Sequence, residues 1–258
     1  MVSDAEIPEW IVGDSWNYHS SIEGSLANFT IEVTEITAIN VNGTDYEVYV
    51  AETTIELPIE QKIITSTIKN YILKDDLSTV KTELIETGPN ESLRITVTTY
   101  DPPKKDYDFP LEVGKEWISH FFESIYEEEL GYSNITRQYK YKVVGEESIT
   151  VEAGTFDCYK IEVDIGFGNP TITWYSPKVN NVVLTTGRQE EMGLPIELTH
   201  HAHGDKDDGE TSFFKVPYLL LLLLIPIIVI LFVGILVMRK SRKKKKRKKK
   251  RKKKKKKK

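Results

Sequence analysis

Strand-like alternation is clearest in the stretch Leu93-Arg94-Ile95-Thr96-Val97-Thr98-Thr99-Tyr100, which is also rich in β-branched residues. A period of two with such residues is typical of β-strands. The same alternation occurs in residues 29–34 and 46–51. Turn signals separate these segments at Asn42-Gly43, Asp75-Asp76 and Gly88-Pro89-Asn90. Short strands with regular turns predict an all-β antiparallel domain, in which only Glu123 to Leu130 is a candidate for a short helix.

The second half of this region repeats features of the first. The segment Val12–His19 matches Val113–His120 at an offset of 101, and each copy reads Val-Gly-x-x-Trp. In the same order, Asn42–Val48 resembles Ala153–Ile161, and Tyr71–Val80 resembles Trp174–Val183. This order predicts two related β-units of about 100 residues each. They could form two domains or one curved sheet, sandwich or half-barrel.

The second unit also resembles a known family. Its segments Val151–Glu162 and Trp174–Val179 are similar to motifs of uncharacterised secreted β-rich envelope domains that are called TapB-like. The resemblance covers residues 113–186 well and residues 12–82 weakly. It implies a Gly-Thr-Phe turn that enters a strand and a Trp-Tyr-Ser-Pro loop before another strand, and it implies no chemistry.

A membrane anchor is predicted after the β-rich region. Residues 216–238 contain no charge, and 23 helical residues span about 34 Å, enough to cross a bilayer core. Residues 239–258 follow, and 19 of these 20 are Lys or Arg. We expect a single-pass transmembrane helix and a disordered polybasic tail.

The charge of the chain is segregated on the two sides of this helix. Residues 1–238 hold 16 basic and 39 acidic residues, a net charge of −23. The positive-inside rule therefore places the tail in the cytoplasm and the β-rich domain outside the cell membrane. This orientation calls for a signal peptide that residues 1–10 do not provide, so we expect one to be missing from this sequence. A cytoplasmic domain with a C-terminal anchor is the alternative.

The same charges indicate the classes of partner. An acidic ectodomain makes nucleic acid an improbable partner for that part, whereas the tail is suited to anionic lipid head groups. Its surplus charge is also compatible with nucleic acid or ribosomes. The ectodomain's own partner, whether an extracellular protein, a glycan or a lipid, stays open. Four sequons are candidate glycosylation sites, at Asn28, Asn42, Asn90 and Asn134.

Histidines are the most obvious candidate ligands for a metal ion. A cluster before the anchor comprises His200, His201, His203, Asp205, Asp207, Asp208 and Glu210. Imidazole and carboxylate groups bind zinc or copper, but no rigid element fixes their spacing, so we expect a solvated stalk and no metal site. His19 and His120 each lie three residues after a Trp and are predicted to point away from it, because strand positions alternate. A site shared by these two histidines is the less economical alternative.

No catalytic motif is present in the sequence. Cys158 is the only cysteine, and we expect it to be a buried structural thiol. Phosphate-binding, dinucleotide-binding, Gly-x-Ser-x-Gly and His-Glu-x-x-His motifs do not occur. We therefore expect a protein that is not an enzyme and needs no cofactor.

These observations predict a complete domain order and a function. The order is a first β-unit, a proline-rich connector, a second β-unit, a polar juxtamembrane stalk, the transmembrane helix and the tail, at residues 1–101, 102–112, 113–198, 199–215, 216–238 and 239–258. The expected function is that of a membrane-anchored cell-surface protein with a non-catalytic binding or structural ectodomain. An envelope carrier or sensor for an apolar ligand or lipid is the alternative, and a metal-dependent hydrolase ranks below both.

Overall fold

A computed structural model describes residues 5–22, 25–59, 62–87, 93–128, 130–166, 169–187 and 195–204. They fall within one compact unit, Met1–Lys206. The predicted anchor, tail and residues 205–215 of the predicted stalk lie outside the described residues. No helix within the described ranges has the length and apolar character that a membrane crossing requires.

The structure is a closed barrel of twelve antiparallel strands, and each strand pairs with its neighbours in the sequence. The strands are β1 (Ser15–Ile22), β2 (Ser25–Val41), β3 (Thr44–Ile59), β4 (Lys62–Leu73), β5 (Thr79–Thr87), β6 (Leu93–Lys104), β7 (Glu116–Glu127), β8 (Gly131–Val151), β9 (Gly154–Asp164), β10 (Thr171–Ser176), β11 (Asn181–Thr186) and β12 (Ile196–Ala202). β1 closes the barrel against β12, with Tyr18 opposite Leu198. The all-β antiparallel prediction is confirmed, but the sheet closes completely and is not a sandwich or a half-barrel.

Two predicted boundaries fall inside strands. β6 extends to Lys104 and β12 extends to Ala202, so parts of the predicted connector and stalk belong to the barrel. Both segments are half polar because one face of a barrel strand contacts solvent, and this polarity resembles that of a loop.

The predicted short helix at Glu123 to Leu130 is wrong. β7 runs to Glu127, and its residue Ile125 lies opposite Ser133 of β8. Alternate residues of β7 are buried and exposed: Trp117 and Phe121 face the interior, whereas Ile118 and Phe122 face outward. Pairing on both sides of the strand overrides the helical preference of the Glu-rich sequence.

The two halves of the barrel share local geometry around the repeated Val-Gly-x-x-Trp motif. The N–H of Gly13 donates to the carbonyl oxygen of Val33 at 2.8 Å, and the N–H of Gly114 donates to that of Val143 at 2.8 Å. These glycines have φ values of 95° and 91°, a conformation that favours glycine. A bulge follows Val33 in β2, and another follows Val143 in β8.

The turns before β5 and β11 correspond in the same way. Leu77 and Asn180, at an offset of 103, have φ values of 58° and 54°. Three residues later in each half, Val80 and Val183 are fully buried. The Asn42-Gly43 turn and the turn at Asp75-Asp76 also occur where the sequence predicts them.

Two clusters of buried apolar residues lie in the interior of the barrel. The first cluster contains Trp10, Trp16, Tyr18, Val33, Tyr49, Ala51, Leu77, Phe156, Cys158, Trp174, Val179, Val183 and Leu198. The second cluster contains Ala5, Leu111, Trp117, Tyr141, Val143, Tyr159, Ile161 and Tyr175. Each contains the Trp of one Val-Gly-x-x-Trp motif, and strands of the second half contribute to both clusters.

A buried carboxylate ties the end of β12 to the start of the barrel. Asp14 is 1% exposed and accepts hydrogen bonds from the N–H groups of Ile11 at 2.9 Å and Gly204 at 2.8 Å. Its other contact is the Nδ1 atom of His203, at 3.3 Å. A Cβ at Gly204 would lie 2.3 Å from the carbonyl oxygen of Val12, so only glycine fits this approach.

Candidate functional site

Aromatic side chains of β1 cross β12 and contact the turn before β11 and the start of β11 itself. The indole N–H of Trp16 donates to the carbonyl oxygen of Val179 at 2.7 Å, and the Tyr18 hydroxyl donates to that of Val182 at 2.9 Å. Trp16 and Tyr18 are 1% and 5% exposed. These rings therefore fill the space between β1 and this turn.

The corresponding positions of β7 are occupied differently. At an offset of 101, Trp117 corresponds to Trp16 and Ser119 corresponds to Tyr18. The indole N–H of Trp117 is buried and has no hydrogen-bond partner among the described residues. The Ser119 hydroxyl accepts the N–H of Lys105 at 2.8 Å. Serine has no ring, and its outward-facing neighbours Ile118 and His120 line a pocket at this point of β7.

This pocket has a volume of about 410 Å³ and lies between β7, the end of β6 and the turn before β5. We call it the β7 pocket; it is lined by Leu73, Asp76, Ser78, Pro102, Pro103, Lys105, Ile118, Ser119 and His120. Its wall combines an apolar part with a few polar groups, which is the usual composition of a ligand site.

Most polar groups of the β7 pocket already have partners. Asp76 accepts the N–H of Ser78 at 2.9 Å, and the Nζ of Lys105 lies 2.6 Å from Asp108. His120 is exposed, and within the part of the chain that the structure describes it makes no hydrogen bond or ion pair. Its imidazole, together with the apolar wall, can therefore contact a ligand.

The two predicted histidines are not brought together as a pair. His19 lies 3.5 Å from Glu152 and 3.8 Å from Glu197, both measured between imidazole nitrogen and carboxylate oxygen. Both histidines point away from the tryptophans, as predicted, since Trp16 and Trp117 are buried while His120 is exposed. The imidazole of His19 therefore lies beside two carboxylates, whereas that of His120 has no such neighbour among the described residues.

The histidines before the predicted anchor lie at the end of the barrel. His200 and His201 belong to β12, and the rings of His201 and His203 are 6.5 Å apart. Burial lowers the pKa of His201, and the neighbouring His203 lowers it further. Within the described ranges, no group of three or more His, Cys, Asp or Glu is placed to hold a metal ion. The remaining predicted members, Asp205, Asp207, Asp208 and Glu210, lie outside those ranges.

The cysteine is placed as expected. Cys158 is fully buried in the first cluster, and its thiol contacts the carbonyl oxygen of Phe156 at 3.4 Å. Burial raises the pKa of this thiol to about 12. A protonated, inaccessible thiol has a structural role.

Three candidate glycosylation sites are solvent-exposed. Asn28 lies in β2, Asn42 in the turn after β2, and Asn134 in β8. Asn90 lies outside the described residues.

A polar cluster at the start of the β6–β7 connection was missed in the sequence. The Tyr141 hydroxyl donates to Asp106 at 2.8 Å, and the Nζ of Lys104 lies 3.0 Å from the same carboxylate. Burial raises the pKa of Tyr141, and the charge of Asp106 raises it further. Burial lowers the pKa of Lys104, but Asp106 outweighs this effect and the net shift is upward. In the sequence, this cluster is indicated only by the mixture of acidic and basic residues in the connector.

The same connection holds a second ion-paired carboxylate. Asp108 lies 2.6 Å from the Nζ of Lys105 and 3.2 Å from that of Lys115. Burial raises the pKa of Asp108, but hydrogen bonds from both lysines outweigh it and hold the pKa below its ordinary value. Lys105 also lines the β7 pocket, so its ion pair with Asp108 holds one of the lining side chains.

Comparisons with known proteins give little similarity. No family model matches the chain, and no curated protein matches it. Among solved structures, the chain is similar to the crystal structure of a "putative lipoprotein" from Parabacteroides distasonis. The TM-score is 0.40 at 17% identity, and the match covers 78% of this chain and 100% of that chain. We draw no inference from a likeness at this level.

Proposed function

We propose that this chain is a single-pass, membrane-anchored cell-surface protein whose barrel is a non-catalytic binding module. The charge of −23 before residue 239 and the 19 basic residues after it support a barrel outside and a tail in the cytoplasm. The tail then associates with anionic lipid head groups.

The observation that carries the binding function is the β7 pocket itself. It has a volume of about 410 Å³, and its lining joins an apolar wall of Pro102 and Ile118 to the imidazole of His120. The ligand would accordingly be a ring-bearing group that packs on Pro102 and Ile118 and contacts His120.

We also propose that the barrel arose by duplication of a six-strand unit. The hydrogen bonds of Gly13 and Gly114 and the positive φ values of Leu77 and Asn180 support this origin, because they recur at the offsets of the sequence repeat. Sequence divergence between the two six-strand units would then leave a binding pocket in only one of them. Relationship to TapB-like envelope domains stays a prediction from the second unit's motifs.

A carrier or sensor of an apolar ligand or lipid is the second candidate. The apolar part of the β7 pocket favours it, since Leu73, Pro102, Pro103 and Ile118 form one wall. An acyl chain would lie along this wall, and no ring would be needed.

Protease treatment of intact cells tests the surface location. The full chain would carry one epitope in the barrel and another after Lys258. We expect added trypsin to remove the barrel epitope and to leave the C-terminal epitope intact. A protected barrel in intact cells would contradict the proposed topology.

Ligand titrations of the purified full chain in detergent test the pocket. We expect p-cresol, the side chain of tyrosine, to shift the NMR signals of Ile118 and His120. Ile118→Ala should weaken the shift of His120 by removing part of the apolar wall, whereas Ile135→Ala, on an exposed position of β8 outside the pocket lining, should not. Binding of a fluorescent fatty acid in place of p-cresol would favour the carrier, and binding of neither probe would rule out both ligand classes.

A further inference from the structure

The outer face of β7 and β8 carries an exposed group of aromatic residues around a sequon. Tyr126 lies opposite Tyr132, Ser124 opposite Asn134, and Phe122 opposite Thr136. Side chains two positions apart in a strand share a face. Tyr132 and Thr136 therefore flank Asn134 on β8, with the rings of Tyr126 and Phe122 on the neighbouring strand.

These aromatic side chains are unusually exposed. Tyr132 is 79% exposed, Phe122 is 42% and Tyr126 is 38%. The rings of Tyr126 and Tyr132 pack on each other with centroids 4.8 Å apart. Exposed apolar surface of this kind indicates that something covers it. The residue in its centre, Asn134, is exposed as well.

We propose that Asn134 carries an N-linked glycan whose first sugar packs on the rings of Tyr132 and Tyr126. The sequon Asn134-Ile135-Thr136 provides the acceptor. One face of a pyranose consists of C–H groups, and this face packs on the electron-rich face of an aromatic ring. The glycan then covers the aromatic group that the barrel leaves exposed.

The other described sequons lack this support. The residue two positions before Asn28 is Leu26, and the residue two positions before Asn42 is Asn40. Neither is aromatic, and the ring opposite Asn28 belongs to His19, which lies beside the carboxylates of Glu152 and Glu197. Asn134 should accordingly be the most fully occupied of these three sites.

The reaction consumes a polyprenyl pyrophosphate-linked oligosaccharide as donor. The side-chain amide nitrogen of Asn134 forms a bond to C1 of the first sugar, and the bond between C1 and the pyrophosphate oxygen breaks. The amide loses one proton, and the polyprenyl pyrophosphate leaves with the bonding electron pair. An oligosaccharyltransferase of the cell that makes the protein supplies the catalysis.

Mass spectrometry of the full chain purified from its own cells tests the modification. Trypsin cleaves after Lys115 and Arg137, so the peptide 116–137 contains this sequon alone. We expect a sugar on this peptide, its loss in Asn134→Gln and Thr136→Ala, and its retention in Thr136→Ser. An unmodified peptide would overturn the proposal.

Ring variants test the packing. Tyr132→Ala should lower occupancy of Asn134 at least about twofold, whereas Tyr132→Phe should keep it. Leu26→Ala is the matched control at Asn28 and should leave that site unchanged. Removal of the sugar should lower the thermal midpoint by about 2–4 °C in wild type and by less in Tyr132→Ala. Equal occupancy and equal thermal shifts in wild type and Tyr132→Ala would overturn the packing.

The inference depends on the surface location proposed above, and the two can fail separately. If trypsin removes the barrel from intact cells while peptide 116–137 is unmodified, the glycan proposal is wrong and the topology stands. If the barrel is protected in intact cells, the topology itself is wrong.

Discussion

The two corresponding tryptophans provide a matched pair of stability measurements. The indole N–H of Trp16 donates to the carbonyl oxygen of Val179, whereas that of Trp117 is buried without a partner among the described residues. Each indole also packs on one aromatic ring, Trp16 on Trp10 at 5.3 Å and Trp117 on Tyr141 at 5.0 Å. Substitution by Phe removes the N–H from both positions and keeps an aromatic ring.

The expected losses differ because only one N–H makes a hydrogen bond. The smaller ring leaves a gap that costs about 1 kcal/mol in either variant. In Trp16→Phe the carbonyl of Val179 also loses its donor, which costs about 1–3 kcal/mol. The free energy of unfolding should therefore fall by about 2–4 kcal/mol. In Trp117→Phe an unpaired buried donor disappears, and this relief of about 1–3 kcal/mol offsets the gap.

Urea and thermal denaturation of the full chain in detergent, followed by far-ultraviolet circular dichroism, measure this difference. For a domain of this size, 1 kcal/mol corresponds to about 2–4 °C. Trp16→Phe should lower the thermal midpoint by about 4–16 °C, and Trp117→Phe should leave it unchanged or raise it. Equal losses in the two variants, or a larger loss in Trp117→Phe, would refute the reasoning.

Three further substitutions or treatments test the close approach, the thiol and the ion pairs. Gly204→Ala should lower the free energy of unfolding by about 1–3 kcal/mol in urea titrations, since its Cβ meets backbone, whereas Gly145→Ala, which meets nothing within 4 Å, should not. Cys158 should not react with a thiol-directed reagent at pH 8 until urea unfolds the barrel, because its pKa is raised to about 12. Asp108 has a pKa lowered in the folded state, so its stabilising contribution is present at neutral pH and is lost as the pH falls below about 4. Asp108→Asn should therefore flatten the acid side of the stability profile.

The strands could be predicted because their pattern is local. The alternation at residues 29–34 reappears as burial in the structure, where Val33 is fully buried and Thr34 is exposed. The Asn42-Gly43 turn could be predicted for the same reason, because an Asn-Gly pair is a local turn signal. The Glu-rich end of β7 misled the prediction, because cross-strand pairing and not local preference decides its conformation.

Closure of the barrel could not be predicted from these patterns. It depends on the pairing of β1 with β12. Trp16 lies opposite His201 in this pair, although almost the whole sequence of the barrel separates the two residues. Polar alternation in β12 looks the same whether that strand closes a barrel or ends a sandwich. The sequence therefore predicted a curved sheet, sandwich or half-barrel, and the closed barrel was not among these arrangements.

The β7 pocket was equally inaccessible, because its lining comes from three separate stretches of the sequence. Residues 73–78 precede β5, residues 102–105 end β6, and residues 118–120 lie in β7. Only the pairing of β6 with β5 on one side and with β7 on the other brings these stretches together. A local pattern identifies His120 as a candidate ligand but does not contain its neighbours in space. If binding uses this opening, Ile118→Ala should weaken it without altering the barrel, because Ile118 faces outward.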